Sequence, residues 1–395
     1  MSATKIAIVG GGLGGLAAAL FLKQAGLDAV VYEQSAVLNE IGAGIVVPPN
    51  MVRLLRRLDL AKKLDEFAVR LEFAWEFRCW RGGRVISATP MGERCELMFG
   101  APCYVAHRAD LREFFRRALP EETVRLDHRC IGVTQSKRGV ALEFVSASGR
   151  ASHVEADAAI GADGIHSVIR DAVTVQEKPR FSGLCAFRCL VPAERAPEMA
   201  RRPVQTLWLG PGRHFVHYPI SAGRLINIVA IAPAGDWRSE SWTADGEISD
   251  LMREFEHWDA RVRQLIVSAT QTKRWALFDR APLEQWTAGR VTLLGDAAHA
   301  MLPFLAQGAA QCVEDAVTLA GCLKSADPDR VETALKRYEE LRRRRANRVV
   351  LMSRGREIQY HLPDGPEQER RDEALAAEDP LKQIAWLYGD AAEAA

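Results

Sequence analysis

Residues 5–33, KIAIVGGGLGGLAAALFLKQAGLDAVVYE, restrict the fold more than any other stretch of this chain. Ile6 to Val9 is a short apolar run rich in β-branched residues, the pattern of a parallel strand buried on both faces. Gly10, Gly12 and Gly15 follow with the spacing G-x-G-x-x-G, and Leu13 and Gly14 complete the turn. A helical pattern then runs to about Gln24. Gly26 marks its end, and Ala29–Tyr32 reads as a second strand closing on Glu33. Strand, glycine turn, helix, strand and acid in this order suit a dinucleotide. Gly10 permits the tight turn, Gly12 lets a pyrophosphate approach the backbone, and Gly15 lets helix and strand pack closely. The phosphates would sit at the positive helix end, and Glu33 would accept hydrogen bonds from a ribose diol. The alternative is a glycine-rich packing turn. Which dinucleotide is bound is left open by this stretch.

A length of 395 residues suggests two or three domains, or one large domain with an inserted second layer. The hydrophobic content of 48% suffices for a full core. With a formal charge of +1 there is no electrostatic footprint for nucleic acid or an anionic membrane, so neither partner is expected. None of the eight cysteines forms C-x-x-C, and Cys185 and Cys189 lack a second ligand pair. No metal is expected, and the cysteine pattern fits a reducing cytoplasm. Residues 6–22 are uncharged, but glycines interrupt them and only Lys5 precedes them, which argues against a signal peptide or membrane span.

Further along, Gly42, Gly44, Pro48 and Pro49 suggest a shaped loop, and Asn50 a cap for a helix from Met51 to about Leu64. Strand-like pieces at 72–80 and 84–88 flank Gly82-Gly83, a hairpin signal. Asp110 is a candidate cap for a helix at 111–119, which puts Arg108 at the helix entrance. Residues 123–156 read as an antiparallel meander. Residues 157–170, DAAIGADGIHSVIR, repeat the strand-to-helix crossing, with Asp163-Gly164 at the strand's carboxyl end, where open α/β sheets bind ligands. Residues 180–232 change to successive antiparallel strands, followed by a helix at about 247–269 and a strand near 271–277. Val291–Leu294 is again a buried strand, leading into Gly295-Asp296 and a helix at 309–323 fronted by Gly308. A long helix spans 331–356, and its run Arg342–Arg345 reads as a solvated face.

Three motifs therefore lie in fixed order: GGGLGG at 10–15, GADGIHSVIR at 161–170 and LLGDAAHAMLPFLAQGAAQ at 294–311. Together with HRADL at 107–111 and the late HLPDGPEQ…WLYG segment, they resemble the class A, single-component flavoprotein aromatic hydroxylases. The resemblance is to the salicylate hydroxylase, 3-hydroxybenzoate 6-hydroxylase and 6-hydroxynicotinate 3-monooxygenase group, and covers nearly the whole chain. It implies an α/β fold: a Rossmann-like FAD-binding domain of the glutathione-reductase type (1–72, 100–178 and 278–330), an inserted, mostly antiparallel β-sheet substrate domain (73–99 and 179–277), and a C-terminal helical region (331–395). It implies tightly but non-covalently bound FAD, with NADH or NADPH and O2 as co-substrates, a small aromatic acid as substrate, and a cytoplasmic monomer or homodimer. By resemblance, the first motif and Glu33 hold the ADP half of FAD, with Gly44 nearby in the loop. Gly295 and Asp296 hold the ribityl chain, Arg108 contacts it from the flavin side, and Asp163 and Gly164 serve both nucleotides.

The implied reaction is hydroxylation of a phenolic carboxylate through a flavin C4a-hydroperoxide. Such a species must be kept from water, which Leu302, Pro303, Phe304 and Leu305 would do. A helix starting at Gly308 would offer free N–H groups to a reduced, anionic flavin. Oxygen transfer is faster to a phenolate, so a proton acceptor is needed. His214 and Tyr218 are four apart in a strand and share one face with Val216, while His217 faces away. His214 and Tyr218 are the expected catalytic pair, and His299 a structural part of the flavin loop, followed by Ala300 where the family usually has Pro. Arg188 and Arg84 are candidate counter-charges for a substrate carboxylate. Val46 and Phe304 stand where pyridine hydroxylases of the group carry His, which leans toward a benzenoid ring. A pyridine carboxylate hydroxylase, a non-hydroxylating flavin oxidoreductase and a dinucleotide-binding redox sensor are the alternatives.

Overall fold

A computed structural model describes residues 4–37, 43–175, 177–240, 244–324 and 326–389. Gly42 lies outside them. Lys5–Val9 forms the centre of a six-stranded sheet, pairing in parallel with Asp28–Tyr32 on one side and Ala158–Gly161 on the other. Val291–Leu293 extends the parallel run beyond Ala158–Gly161, and Val124–Arg125 extends it beyond Asp28–Tyr32. The carboxyl ends of three central strands thus carry Gly10, Ala162 and Leu294, so the three motifs meet at one edge of one sheet.

The glycines of the first motif differ in what they do. Gly10 has φ +109°, and a Cβ there would meet the Ala162 carbonyl oxygen at 2.3 Å. A Cβ on Gly15 would meet the Gly10 carbonyl oxygen at 1.9 Å. These two let strand, turn and helix Leu13–Gln24 lie against one another. Gly12 caps that helix, and a Cβ on it would meet no protein atom within 4 Å. Its smallness therefore serves what lies outside the turn.

The second large sheet has eight strands and is antiparallel except where Val204–Gly210 runs parallel to Phe73–Cys79. Its centre is Arg180–Pro192, Leu225–Pro233 and Arg213–Ile220. Strand alternation divides Arg213–Ile220 cleanly. Val216, Tyr218 and Ile220 join the apolar cluster shared with Leu302, Phe304 and Tyr360, and Phe215 joins the cluster on the opposite face with Phe255 and Trp258. Residues 129–156 form the expected three-stranded meander, and Gly82 and Gly83 both have the positive φ that a tight hairpin needs.

Several local expectations are corrected. The segment from Gly44 is a strand, Gly44–Val47, paired with Tyr104–His107. Asn50 does not cap a helix. Pro48 precedes helix Pro49–Arg56, and Asn50 is buried in its first turn. Helix Arg108–Arg117 starts two residues before Asp110. The stretch 247–269 is two helices, Ile248–Glu254 and Ala260–Ser268, the second capped by the Asp259 side chain. Only a short 3-10 turn, Ile169–Ala172, follows Asp163-Gly164.

The Arg342–Arg345 run is not a solvated face. Helix Val331–Tyr360 packs on helix Gly308–Leu323, and Arg342 is 2% exposed. Its guanidinium donates to Glu314 Oε2 at 2.7 Å, Asp315 Oδ1 at 2.8 Å and Gln311 Oε1 at 2.7 Å. Arg345 adds two bonds to Glu314 and two to the carbonyls of Trp386 and Leu387. Burial alone would push the Glu314 and Asp315 carboxyls up, but the adjacent guanidiniums, and His299 at Asp315, outweigh it and hold both below their ordinary values.

Candidate active site

One cavity of about 330 Å³ runs from the first glycine turn to the inner face of the eight-stranded sheet. At its nucleotide end it is lined by Gly12, Leu13, Gly14, Gly164, Gly295 and Asp296. Arg108, Gly44 and Gly308 line its middle, and His214 and Tyr218 its far wall. Eleven of the fifteen expected cofactor-binding and catalytic residues thus border one space. Gly10, Gly15, Glu33 and Asp163 do not, and each shapes the turns behind it.

Glu33 holds the glycine turn itself, accepting from Gly11 N at 2.6 Å and Ser35 N at 2.9 Å. Asp163 turns its carboxylate into its own loop, accepting from Ser167 Oγ at 2.5 Å and Val168 N at 2.7 Å. Burial raises its pKa despite these bonds. Arg170, the last residue of the second motif, is 2% exposed and donates to the carbonyls of Ile165 (3.0 Å), Asp296 (3.1 Å) and Ala297 (2.8 Å). That side chain bolts the second motif to the third. Asp296 opens onto the cavity but lies deep among protein atoms. Burial pushes its carboxyl up, and His299, Arg108 and Arg170 offset this in part.

Two helix N-termini face the cavity. Leu13–Gln24 begins at Gly12 and Gly308–Leu323 at Gln307. Neither has a side-chain cap or an acid in its first turn. Free N–H groups and two positive dipole ends therefore converge on one space. This suits a ligand with a phosphate at one end and a negative charge developing at the other. His299 is structural as expected, with Nε2 2.6 Å from Asp315 Oδ2 and 1% exposure.

The far wall is apolar with a few polar groups. Leu302, Pro303 and Phe304 line it; Leu305 is buried in the core behind them. Val46 lines the cavity too. His214 is 3% exposed, and its Nδ1 lies 2.7 Å from Nε2 of His361. Burial, then the neighbouring His361, push His214 well below its ordinary range. Burial pushes Tyr218 up to about 12, with Arg188 opposing, so its hydroxyl stays protonated. Arg188 lines the same wall and stacks on Trp275 at 4.2 Å. Burial lowers it to about 10, leaving it a cation at neutral pH. Arg84 does not reach the cavity. It pairs with Asp372 at 3.1 Å.

Gly44 has a reason beyond the loop. A Cβ there would lie 2.6 Å from Tyr218 Cε2 and from Asn227 Cγ, and its N–H donates to Asn227 Oδ1 at 2.7 Å. It is the point where the small sheet touches the substrate-facing strands. Trp75, Gln205, Met301 and Tyr360 also line the cavity without having stood out in the sequence. Trp75 sits at a bulge in strand Phe73–Cys79 with φ +50°, and a bulge re-aims a side chain in a way that strand periodicity does not reveal.

A dinucleotide fold whose cofactor cavity continues into an apolar pocket with a buried His and Tyr is that of an oxidoreductase acting on a small ligand. Residues 3–353 match the family described as the FAD binding domain. The chain is 42% identical to the 3-amino-4-hydroxybenzoate 2-monooxygenase PtmB3 of Streptomyces platensis, over 98% of this chain and 96% of that protein. It is 34% identical to 3-hydroxybenzoate 6-hydroxylase 1 of Aquipseudomonas alcaligenes, over 97% of each. A solved salicylate hydroxylase substrate complex superposes with a TM-score of 0.84 at 28% identity, covering 100% of this chain and 97% of that one. The chain belongs to the FAD-dependent aromatic-ring monooxygenases. Its cofactor is FAD, and the glycine turn, the uncapped helix ends and Asp296 fit that group. Among the described residues no helix is long and apolar enough to cross a membrane.

Proposed function

We propose that the protein hydroxylates a phenolic benzoate, with the phenol against His214 and Tyr218 and the carboxylate toward Arg188. The observation that carries this is that His214, Tyr218 and Arg188 line the same cavity as the apolar residues Leu302, Pro303 and Phe304, with the Phe304 ring 5.2 Å from that of His214. When bound, FAD supplies hydride acceptance from NADH or NADPH and the activation of dioxygen. His214, kept neutral by burial, has a lone pair with which to take the phenolic proton. Tyr218, kept protonated, donates to the ring oxygen. The Arg188 cation steadies an anionic ring acid, and Leu302, Pro303 and Phe304 exclude water. Gly12 and the first N–H groups of helix Leu13–Gln24 would hold the pyrophosphate of FAD, Asp296 its ribityl chain and Gly308 its reacting end, while Glu33, which lies outside this cavity and braces the glycine turn, would meet the ribose beyond it.

A hydroxybenzoate, in particular one bearing an amino group, is favoured over a hydroxypyridine acid. Val46 and Phe304 provide no imidazole to a ring nitrogen, and the relatives include an aminohydroxybenzoate enzyme. All eight cysteines are free thiols, which supports a cytoplasmic enzyme. The test is a panel of 3-amino-4-hydroxybenzoate, 3-hydroxybenzoate, salicylate and 6-hydroxynicotinate. Each is scored for stimulated NAD(P)H oxidation and for a product heavier by one oxygen. The expected outcome is coupled turnover with a hydroxybenzoate. Coupled turnover with 6-hydroxynicotinate alone, or with none of the four, would overturn the assignment.

A further inference from the structure

We propose that His361 is the second station of a two-histidine relay that carries the phenolic proton from the cavity through His214 to solvent. The idea rests on the substrate reading above and deepens it. His214 comes from the centre of the eight-stranded sheet, and His361 is the residue that follows helix Val331–Tyr360, 147 positions later. Their rings stack at 5.0 Å and 28°, with Nδ1 of His214 2.7 Å from Nε2 of His361. At that distance one nitrogen donates and the other accepts. The Nδ1 of His214 is thereby occupied, and Nε2 is the ring nitrogen left for a ligand.

Burial decides what happens to a proton that reaches His214. The ring is 3% exposed, and the rings of Phe304 and Tyr360 pack on it in T-shaped arrangement, with centroids 5.2 Å and 5.5 Å away. An imidazolium there is costly, so a proton taken from a phenol has to move on. His361 gives it a route. It is half-buried where His214 is buried. It is also fixed at both ends of its backbone, by its N–H to Ile358 O (3.3 Å) and by Gly212 N–H to its carbonyl (3.0 Å). The charged and titratable groups around the pair are the Arg213–Glu254 ion pair, Tyr360, and Arg188 and Tyr218 on the cavity side. Arg213 opposes a lasting charge on His361, which burial already disfavours. His217, equally buried on the opposite face, has no partner on either ring nitrogen among the described residues. Burial of a strand histidine therefore does not by itself produce such a pair.

The transfer balances without an added reactant. The phenol O–H breaks as N–H forms at His214 Nε2. The His214 Nδ1–H bond breaks as N–H forms at His361 Nε2. The His361 Nδ1–H proton passes to water or buffer. Both rings start and end neutral, with their tautomers exchanged, and the phenolate stays in the cavity. His361 acts through His214 and is a positioning and relay residue.

The test uses FAD-loaded wild type, His361→Ala and His361→Gln, in single-turnover hydroxylation of 3-amino-4-hydroxybenzoate, or of the panel member that the wild type turns over fastest. Gln keeps a hydrogen bond to His214 but cannot pass a proton through. Both variants should bind FAD and the ring acid within about twofold of wild type and hydroxylate about a hundredfold more slowly. Added imidazole should restore His361→Ala and leave His361→Gln slow. A His361→Gln enzyme hydroxylating at the wild-type rate overturns the relay, even if His361→Ala fails to fold. So does a slow, FAD- and ligand-loaded His361→Ala that imidazole does not restore. A wild type that hydroxylates none of the panel overturns the substrate reading and the relay with it, an outcome distinct from the failure of the relay alone.

Discussion

Arg342 Nε donates to Asp315 Oδ1 at 2.8 Å, and the other oxygen of Asp315 accepts from Gly295 N at 3.1 Å. One buried ion pair thus ties the long C-terminal helix to the loop that carries Asp296. Removing one partner leaves an uncompensated buried charge, costing about 3–5 kcal/mol. Arg342→Met should lower the urea midpoint accordingly and weaken FAD retention on gel filtration. A variant as stable as wild type would show that the pair does not hold the loop.

Glycines of the first motif should separate by function. Gly15→Ala drives a methyl group into the Gly10 carbonyl and should destabilise the apoprotein by more than about 3 kcal/mol. Gly12→Ala meets no protein atom. It should fold with near-wild-type stability yet bind FAD at least about tenfold more weakly, because the methyl stands where the pyrophosphate approaches. Thermal melts of the apoproteins and flavin titrations check both. Equal stability of the two variants would contradict the distinction.

At the far wall, His214→Ala and Tyr218→Phe should slow ring hydroxylation by about 10²-fold or more while the bound flavin spectrum is unchanged. Rapid-quench measurement of product is the check, and full hydroxylation rates in both variants would remove their assigned role.

Of the two arginines, Arg188→Met should raise the KM for a ring carboxylate by about tenfold or more, the loss of a charge-assisted bond. Arg84→Met should leave KM unaltered, since Arg84 pairs with Asp372 outside the cavity. Steady-state kinetics of the two variants decides this; equal KM values would return Arg188 to a structural role.

Stability should fall on mild acidification. Burial holds His214 well below its ordinary range, His217 at about 3 and His361 at about 4. The unfolded chain protonates these rings from about pH 6.5 downward, and the folded chain does not until the lower values are reached. The unfolded state therefore binds more protons across that window, so stability rises with pH and is lost as pH falls through it. Asp163 and Asp296, raised by burial above 3.8, act in the opposite sense. Three histidines over the wider window set the sign. Calorimetry from pH 7.5 to 5 should give a falling Tm, and a constant or rising Tm would contradict the argument.

Much of this protein was legible in its sequence. The βαβ unit at 5–33, the strands at 158 and 291 and the His214/Tyr218 face follow from local periodicity and turn chemistry, which depend on residues a few positions apart. That these strands lie side by side, so that the three motifs meet, is shown by the sheet pairing and was not read from the sequence. Other features needed the tertiary structure. The arginine run at 342–345 looks like a solvated face because charge near charge in sequence says nothing of the Glu314 and Asp315 that meet it from another helix. Trp75 enters the cavity through a bulge, which breaks the alternation that would have placed it. His361 stands beside His214 only because a 30-residue helix returns the chain to the sheet. Local sequence determined which elements form and which faces they bury. Long-range packing decided which buried charges are paired and which histidine stands behind the one in the cavity, because desolvation and pairing depend on neighbours that the chain brings together only when folded.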